Sequence, residues 1–170
     1  MVKRYATTKQ STTKSQFMAA LYKKEVTVAS PPLTNREYAY LAVNGKGDSQ
    51  LVTSILKIDP TNQWSEGEIN PRNNKPRKFM CWNLTSGLDD THAIEEHIGK
   101  LLEIIEPLKE ELATLNKNYK VFIQCVGYFP PSGHGLHIDH KLIEKLYRLS
   151  LALDYDFYFV DDYGHDLDYC

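Results

Sequence analysis

The sequence predicts an α+β fold in which the helices lie on one face of a mainly antiparallel sheet. Hydrophobic periodicity gives the element order strand, helix, strand, strand, helix, strand, with one more helix and strand at the end. The first six elements follow the ferredoxin-like split βαβ order. The 170 residues, 42% of them hydrophobic, suffice for one domain with a sizeable core. We predict a flexible basic arm with at most one short helix at residues 1–35, a single α+β domain at 36–160 and an acidic tail at 161–170.

The first strand is predicted from Arg36 to Val43, where β-forming side chains alternate. A glycine-containing turn follows, and Asp48 can cap a short helix that reaches Leu56. The turn lacks the lysine and hydroxyl residue of a P-loop, so we predict a plain connection and not a phosphate site.

The second and third strands are predicted at residues 63–68 and 78–84, on either side of an exposed loop at 70–77 that is rich in proline and asparagine. Trp64 and Trp82 then stand on neighbouring antiparallel strands, where two aromatic rings can pack across the sheet. The alternative is that they form a wall of a groove for a ligand or a partner.

The longest amphipathic helix is predicted from Asp89 to Tyr119, because apolar residues recur there at spacings of three and four. Acidic residues suit its first turn. Pro107 removes a backbone hydrogen bond inside this stretch, so we expect a kink or two helices in series. His97, one position off the apolar stripe, is predicted to be a partly buried histidine near the helix boundary. The stripe consists of Ile94, Ile98, Leu101, Ile105, Leu108, Leu112 and Leu115.

The last three elements are a strand at 119–129, predicted to be central, a helix at 141–153 and a strand at 154–160. In the last strand we expect Tyr155 and its aromatic neighbours to take the core face. Its aspartates should then face solvent or cap the end of the sheet.

Composition bounds the function. Three widely spaced cysteines without a CxxC pair indicate neither a disulfide framework nor a zinc site. The start of the chain has no signal-peptide core, and no run approaches the length of a membrane span, so the cytosol is the expected compartment. The basic arm does not interleave aromatic and basic residues, which disfavours nucleic acid as a partner. Since no nucleotide motif or nucleophile elbow occurs, we expect no cofactor.

Three features together resemble the bacterial family called domain of unknown function 4279. The first is the turn Trp64-Ser65-Glu66-Gly67-Glu68. The second is the strand around Trp82-Asn83-Leu84 that leads through Ser86 to Glu96-His97, and the third is the C-terminal segment Leu153-Asp154-Tyr155-Asp156-Phe157-Tyr158. The resemblance covers residues 36–160, with Glu68 where the family pattern has aspartate. It implies a small soluble protein without an established activity, and some members belong to toxin and immunity gene sets.

Charge asymmetry suggests how such a protein could act. Cations crowd the first segment and acids crowd the last, and an acidic surface can attract a basic protein partner. We therefore expect a non-enzymatic interaction domain, of which an immunity-type inhibitor of a basic toxin domain is one form. The alternative is a domain that associates with itself as a homodimer. The candidate partner-binding residues are Asp154, Asp156, Asp161, Asp162, Asp166, Asp168, Trp64 and Trp82.

A second class of function is a small-ligand or metal-binding module. His134, His137 and His140 fall within seven residues together with Asp139, and imidazole and carboxylate are zinc ligands. His165 and acids of the tail could complete such a site. A polar loop in which Asp139 caps the next helix explains the same residues without a metal.

Overall fold

A computed structural model of the protein describes residues 35–130 and 135–159. The strands are β1 (Arg36–Gly45), β2 (Asn62–Trp64), β3 (Ile69–Asn70), β4 (Lys75–Pro76), β5 (Met80–Thr85), β6 (Lys120–Phe129) and β7 (Ala152–Phe159). The helices are α1 (Gln50–Leu56), α2 (Ile94–Ile105), a 3-10 turn (Glu106–Leu108), α3 (Lys109–Leu115) and α4 (His140–Arg148).

Five strands form one sheet in the order β2-β5-β1-β6-β7, and β3 pairs with β4 in a separate small hairpin. Neighbours in the sheet are antiparallel except β6 and β7, which are parallel. The α+β class is therefore confirmed. β6 is an interior strand as predicted, while β1 occupies the middle.

Several boundaries differ from the prediction. The strand expected at 63–68 is only three residues long, and the predicted loop at 70–77 contains most of the β3–β4 hairpin. The last helix ends at Arg148, because Ser150 takes a positive φ of 54° and breaks it before β7 begins. The break expected at Pro107 is confirmed, since a 3-10 turn there separates α2 from α3.

The core lies between one face of the sheet and the helices. Leu41, Trp82 and Ile123 point from three adjacent strands toward Ile98 and Leu101 of α2, and all five are fully buried. No helix in the part of the chain that the structure describes is long and apolar enough to cross a membrane.

The turn after β2 is fastened to the turn after β1. The Glu66 carboxylate accepts hydrogen bonds from Lys46 Nζ at 2.6 Å and from the Gly47 amide at 3.0 Å, and the Glu66 amide donates to the Gly47 carbonyl at 2.9 Å. Gly47 and Gly67 have φ of 101° and 82°, a region in which a side chain is strained. The sequence Trp64-Ser65-Glu66-Gly67-Glu68 therefore has a structural role, because it joins the two turns by hydrogen bonds.

Gly127 in β6 lies beneath the ring of Phe129, which is buried and packs edge-to-face on Phe157 at 5.3 Å. A methyl group at this position would overlap the ring. We expect Gly127→Ala to lower the free energy of unfolding by about 1–3 kcal/mol, as overpacking does. The matched control is Gly99→Ala, because nothing lies near that position in α2 and alanine favours a helix by about 0.5–1 kcal/mol. Urea unfolding would contradict the account if both variants changed stability in the same direction.

Candidate functional site

Strand β7 forms one edge of the sheet, and in the described residues it is paired with β6 alone. Because side chains alternate along a strand, Asp154 and Asp156 lie on the face away from the helices, while Tyr155 and Phe157 lie on the helix face. Both aspartates are exposed, as the sequence predicts.

The two carboxylates are held by side chains of β6. Asp154 Oδ2 lies 3.6 Å from Lys120 Nζ, and Asp156 Oδ2 accepts a hydrogen bond from Gln124 Nε2 at 3.1 Å. The side chain of Asp154 remains 51% exposed. The arrangement fixes two negative charges at the edge of the sheet, and it does not bury them as an acid-base pair would require.

The aromatic side chains of β7 were expected to be core residues, and this is only partly right. Tyr155, Phe157 and Phe159 are 37%, 39% and 66% exposed. The physical reason is that an edge strand has a neighbour on one side only. Burial nevertheless raises the pKa of the Tyr155 phenol to about 12, so the hydroxyl stays neutral.

Helix α4 adds further apolar surface beside these aromatics. Ile143 is 55% and Tyr147 84% exposed on α4. Between α4 and β7 lies a cavity of about 410 Å³, which Leu146, Leu153 and Tyr155 help to line. The exposed apolar residues of α4 and β7 therefore form one surface, which we call the edge surface: Ile143, Tyr147, Tyr155, Phe157 and Phe159.

The described part of the histidine loop is held by helix capping and by α2. Asp139 Oδ1 accepts a hydrogen bond from the Leu142 amide at 2.8 Å, which lowers the pKa of Asp139 and caps α4. The His137 amide donates to Glu95 Oε1 at 2.8 Å, and the side chains of His137 and His140 are exposed. Within residues 35–130 and 135–159, no group of three or more His, Cys, Asp or Glu side chains could hold a metal ion.

Several predicted site residues lie outside the described residues: His134, Asp161, Asp162, Asp166, Asp168 and His165. The metal site that would use His134, and the part of the acidic surface in the tail, therefore stay predictions. The same holds for the basic arm at residues 1–35, of which the structure describes only Asn35.

The two tryptophans do not pack against each other. Their strands are antiparallel neighbours as predicted, but Gln63 is opposite Trp82, and Trp64 is opposite Cys81. The rings consequently lie on opposite faces of the sheet. Trp82 is fully buried in the core, whereas Trp64 is half-buried and stacks on the Arg77 guanidinium at 3.9 Å. A binding role for either tryptophan stays a prediction.

Sequence reasoning missed a buried polar cluster at the start of α2. His97 is only 1% exposed, and its Nδ1 lies 2.6 Å from Oγ of buried Ser86. The buried carboxylate of Glu37, which comes from β1, accepts the Ile94 amide at 3.1 Å and thereby caps α2. The signal that could have found this cluster is Glu37, the lone acid on the strand face that otherwise carries the apolar residues Ala39, Leu41 and Val43.

Comparisons with known proteins match the chain to a family. The model of a family described as a domain of unknown function (DUF4279) matches residues 35–160, which is most of the chain. No curated protein and no solved structure matches.

Proposed function

Since the chain belongs to the family of domain of unknown function 4279 (DUF4279), whose description carries no activity, we propose its function from the residues themselves. We propose that it is a non-enzymatic interaction domain that binds a basic protein through β7 and the edge surface. The observation that carries this proposal is the edge of β7, which in the described residues pairs with β6 alone.

We also infer a ferredoxin-like core. What supports it is the strand order β2-β5-β1-β6 with all three pairings antiparallel, together with helices after β1 and β5. This is the arrangement of a split βαβ motif, to which α4 and β7 would be an addition. The proposed binding strand would then lie outside the core motif.

The edge of β7 is protected against further pairing by the charges of Asp154 and Asp156, which repel only a partner strand of like charge. Its eight residues Ala152–Phe159 include no lysine, proline or glycine, and the described chain pairs it on one side only. An extended segment of another protein can add to such an edge through main-chain hydrogen bonds. The edge surface supplies the aromatic anchors that such partners use.

Charge selects the kind of partner. In a symmetric antiparallel pairing of two β7 strands centred at Tyr155, Asp154 of each copy would lie opposite Asp156 of the other. Like charges so placed destabilise a homodimer. A strand that carries lysine or arginine on the corresponding face would be attracted instead, which favours a basic partner over self-association.

The thiol of Cys125, on the strand next to β7, is buried, which is in keeping with a binding role. Cys125 of β6 is buried, and desolvation, with smaller effects of the Asp154 and Glu95 carboxylates, raises its pKa to about 12. It is therefore a neutral thiol and not a nucleophilic thiolate.

We propose further that the partner is a basic toxin domain and that the protein acts as an immunity-type inhibitor. The resemblance in sequence and the acidic face of β7 support this form. If the captured partner is an enzyme, a stoichiometric amount of the purified chain should inhibit it.

Neutralising β7 is expected to release the partner. We expect Asp154→Asn with Asp156→Asn to weaken binding at least about tenfold and to flatten its salt dependence between about 0.05 M and 0.5 M salt, because charge attraction is screened. The measurement is capture by the tagged full chain from a lysate of the source cell, followed by calorimetry with the purified partner. The matched control is Asp59→Asn with Glu110→Gln, which removes two exposed charges from other elements.

The proposal would be overturned if a partner bound the wild type, the Asp154→Asn/Asp156→Asn variant and the control variant with equal affinity. It would also be overturned if the affinity of the partner did not depend on salt. So would the absence of any stoichiometric partner at low salt. Light scattering of the free chain tests the alternative, because a stable dimer lost on Phe157→Lys would assign the β7 edge to self-association.

A further inference from the structure

The face of the sheet away from the helices contains a groove of about 510 Å³. It lies over β1, β5 and β6, and the turn after β1 closes one end. Its volume is within the range of small-molecule sites. It shares no lining residue with the cavity beside α4, although its lining residue Gln124 also donates a hydrogen bond to Asp156 of β7.

The register of the strands creates the depression. Ala42 of β1 lies directly between Asn83 of β5 and Phe122 of β6. Because its side chain is one methyl group, the larger neighbours on both sides stand above it. Ala42, which is only 2% exposed, therefore lies at the bottom of the depression.

The walls are aromatic, since Tyr40, Trp64, Phe79 and Phe122 all line the groove. Rings that surround a narrow depression favour a planar aromatic ligand, which can stack or pack edge-to-face against them. Such walls recognise the shape of a ligand but give it no orientation.

Two cations stand beside these walls. The Arg77 guanidinium stacks 3.9 Å from the centre of the Trp64 ring, and Lys46 Nζ lies 5.7 Å from the centre of the Phe79 ring. Lys46 is also paired with Glu66, whereas within the described residues no carboxylate lies within ion-pair distance of Arg77. Of these two cations only Lys46 is a lining residue, and no carboxylate is among the lining residues, which favours an anionic substituent on the ligand.

One polar atom of a groove-lining residue has no hydrogen-bond partner in the described part of the chain. Asn44 Oδ1 is buried and accepts no hydrogen bond from any part of the chain that the structure describes. A buried acceptor without a donor destabilises the free protein, so such atoms are uncommon unless a ligand or water satisfies them. A ligand with an N–H group could donate this hydrogen bond.

We propose that the groove binds a small planar aromatic anion that carries a ring N–H donor. The aromatic ring rests over Ala42, the N–H group donates to Asn44 Oδ1, and the anionic group faces Lys46. This ligand is a small molecule and differs from the basic protein proposed to bind β7.

Three related compounds separate these contacts in the full chain. Indole-3-carboxylate has all three features, indole lacks the anion, and 1-methylindole-3-carboxylate lacks the donor. We expect the first to bind, and each of the others to bind about tenfold or more weakly, because a lost buried hydrogen bond or charge contact costs at least that factor. Titration followed by amide NMR should shift Ala42, Asn44 and Trp64 in a saturable manner.

A variant tests the role of Asn44 in a way that simple damage to the fold cannot imitate. Asn44→Leu should weaken indole-3-carboxylate about tenfold while leaving thermal stability equal or higher, since it removes an unsatisfied buried acceptor. The matched control, Asn62→Leu, makes the same change on the exposed end of β2 and should bind like the wild type.

The proposal would be overturned if none of the compounds shifted the groove amides, or if the N-methyl compound bound as well as its parent. Equal affinity of Asn44→Leu and the wild type would also overturn it. Should Asn44→Leu fail to fold, the comparison of the three compounds on the wild-type chain decides.

Discussion

Replacing Trp82 with alanine is expected to lower the free energy of unfolding by about 3–5 kcal/mol, as for other large aromatic residues removed from a core. Trp82 is fully buried, and its Nε1 donates a hydrogen bond to Thr53 Oγ1 at 3.0 Å. The substitution would leave a cavity between β5 and α1 and a hydroxyl without its donor. Chemical unfolding followed by circular dichroism measures the change.

Trp64→Ala is the matched control, because the same side chain is removed from the opposite face of the sheet. Trp64 is half-buried, and its stacking with Arg77 contributes about 0.5–2 kcal/mol. We expect Trp64→Ala to lower the free energy of unfolding by less than half as much as Trp82→Ala does. Equal costs would mean that the assignment of the two rings to opposite faces is wrong.

Lowering the pH from about 8 to about 5 is expected to reduce stability through His97, whose unperturbed pKa lies in this window. Burial lowers the pKa of His97 below its ordinary value of 6.5, and the charge of nearby His92 acts in the same direction. Glu37 and the backbone near Asp89 act in the opposite direction but have smaller effects than burial.

The direction follows from proton binding. The unfolded chain binds a proton at His97 at a higher pH than the folded protein does. The contribution of neutral His97 to the free energy of unfolding is therefore fully present above the ordinary pKa of 6.5. It is lost as the pH falls toward the lowered pKa of His97 in the folded protein. The slope approaches about 1.4 kcal/mol per pH unit, the value for one proton.

Urea unfolding of the wild type across this pH range, compared with His97→Gln, measures the effect. The variant should be less stable at pH 8, since it loses the contact with Ser86, and its stability should depend less on pH. His137→Gln, at an exposed site, serves as the control and should follow the wild type. Parallel curves for His97→Gln and the wild type would assign the pH dependence to other groups.

The elements that the sequence predicts well are those with a strong local signal. The alternation along β1 and β6 and the apolar stripe of α2 and α3 each record a burial pattern within one segment. Pro107 likewise acts on its own turn, so the break between α2 and α3 was predictable.

What the sequence could not predict depends on residues far apart in the chain. The exposure of Tyr155 and Phe157 follows from the position of β7 at the edge of the sheet, and a strand's own residues do not specify its neighbours. The opposite faces of Trp64 and Trp82 follow from a register that a shift of one residue would invert. Glu37 and the Ile94 amide that it caps are 57 positions apart in the chain, so no local sequence motif predicts this cap of α2.

The parallel pairing of β6 with β7 also bears on how the fold opens. In the described sheet β7 forms its backbone hydrogen bonds with one neighbour, β6, about 30 positions earlier in the chain. In contrast, β1 is paired with β5 on one side and with β6 on the other. Local opening should therefore begin at β7 and leave the other four strands intact. The segment proposed to receive a partner strand is then also the one whose amide hydrogens exchange with solvent first. A bound partner would make it one of the best protected.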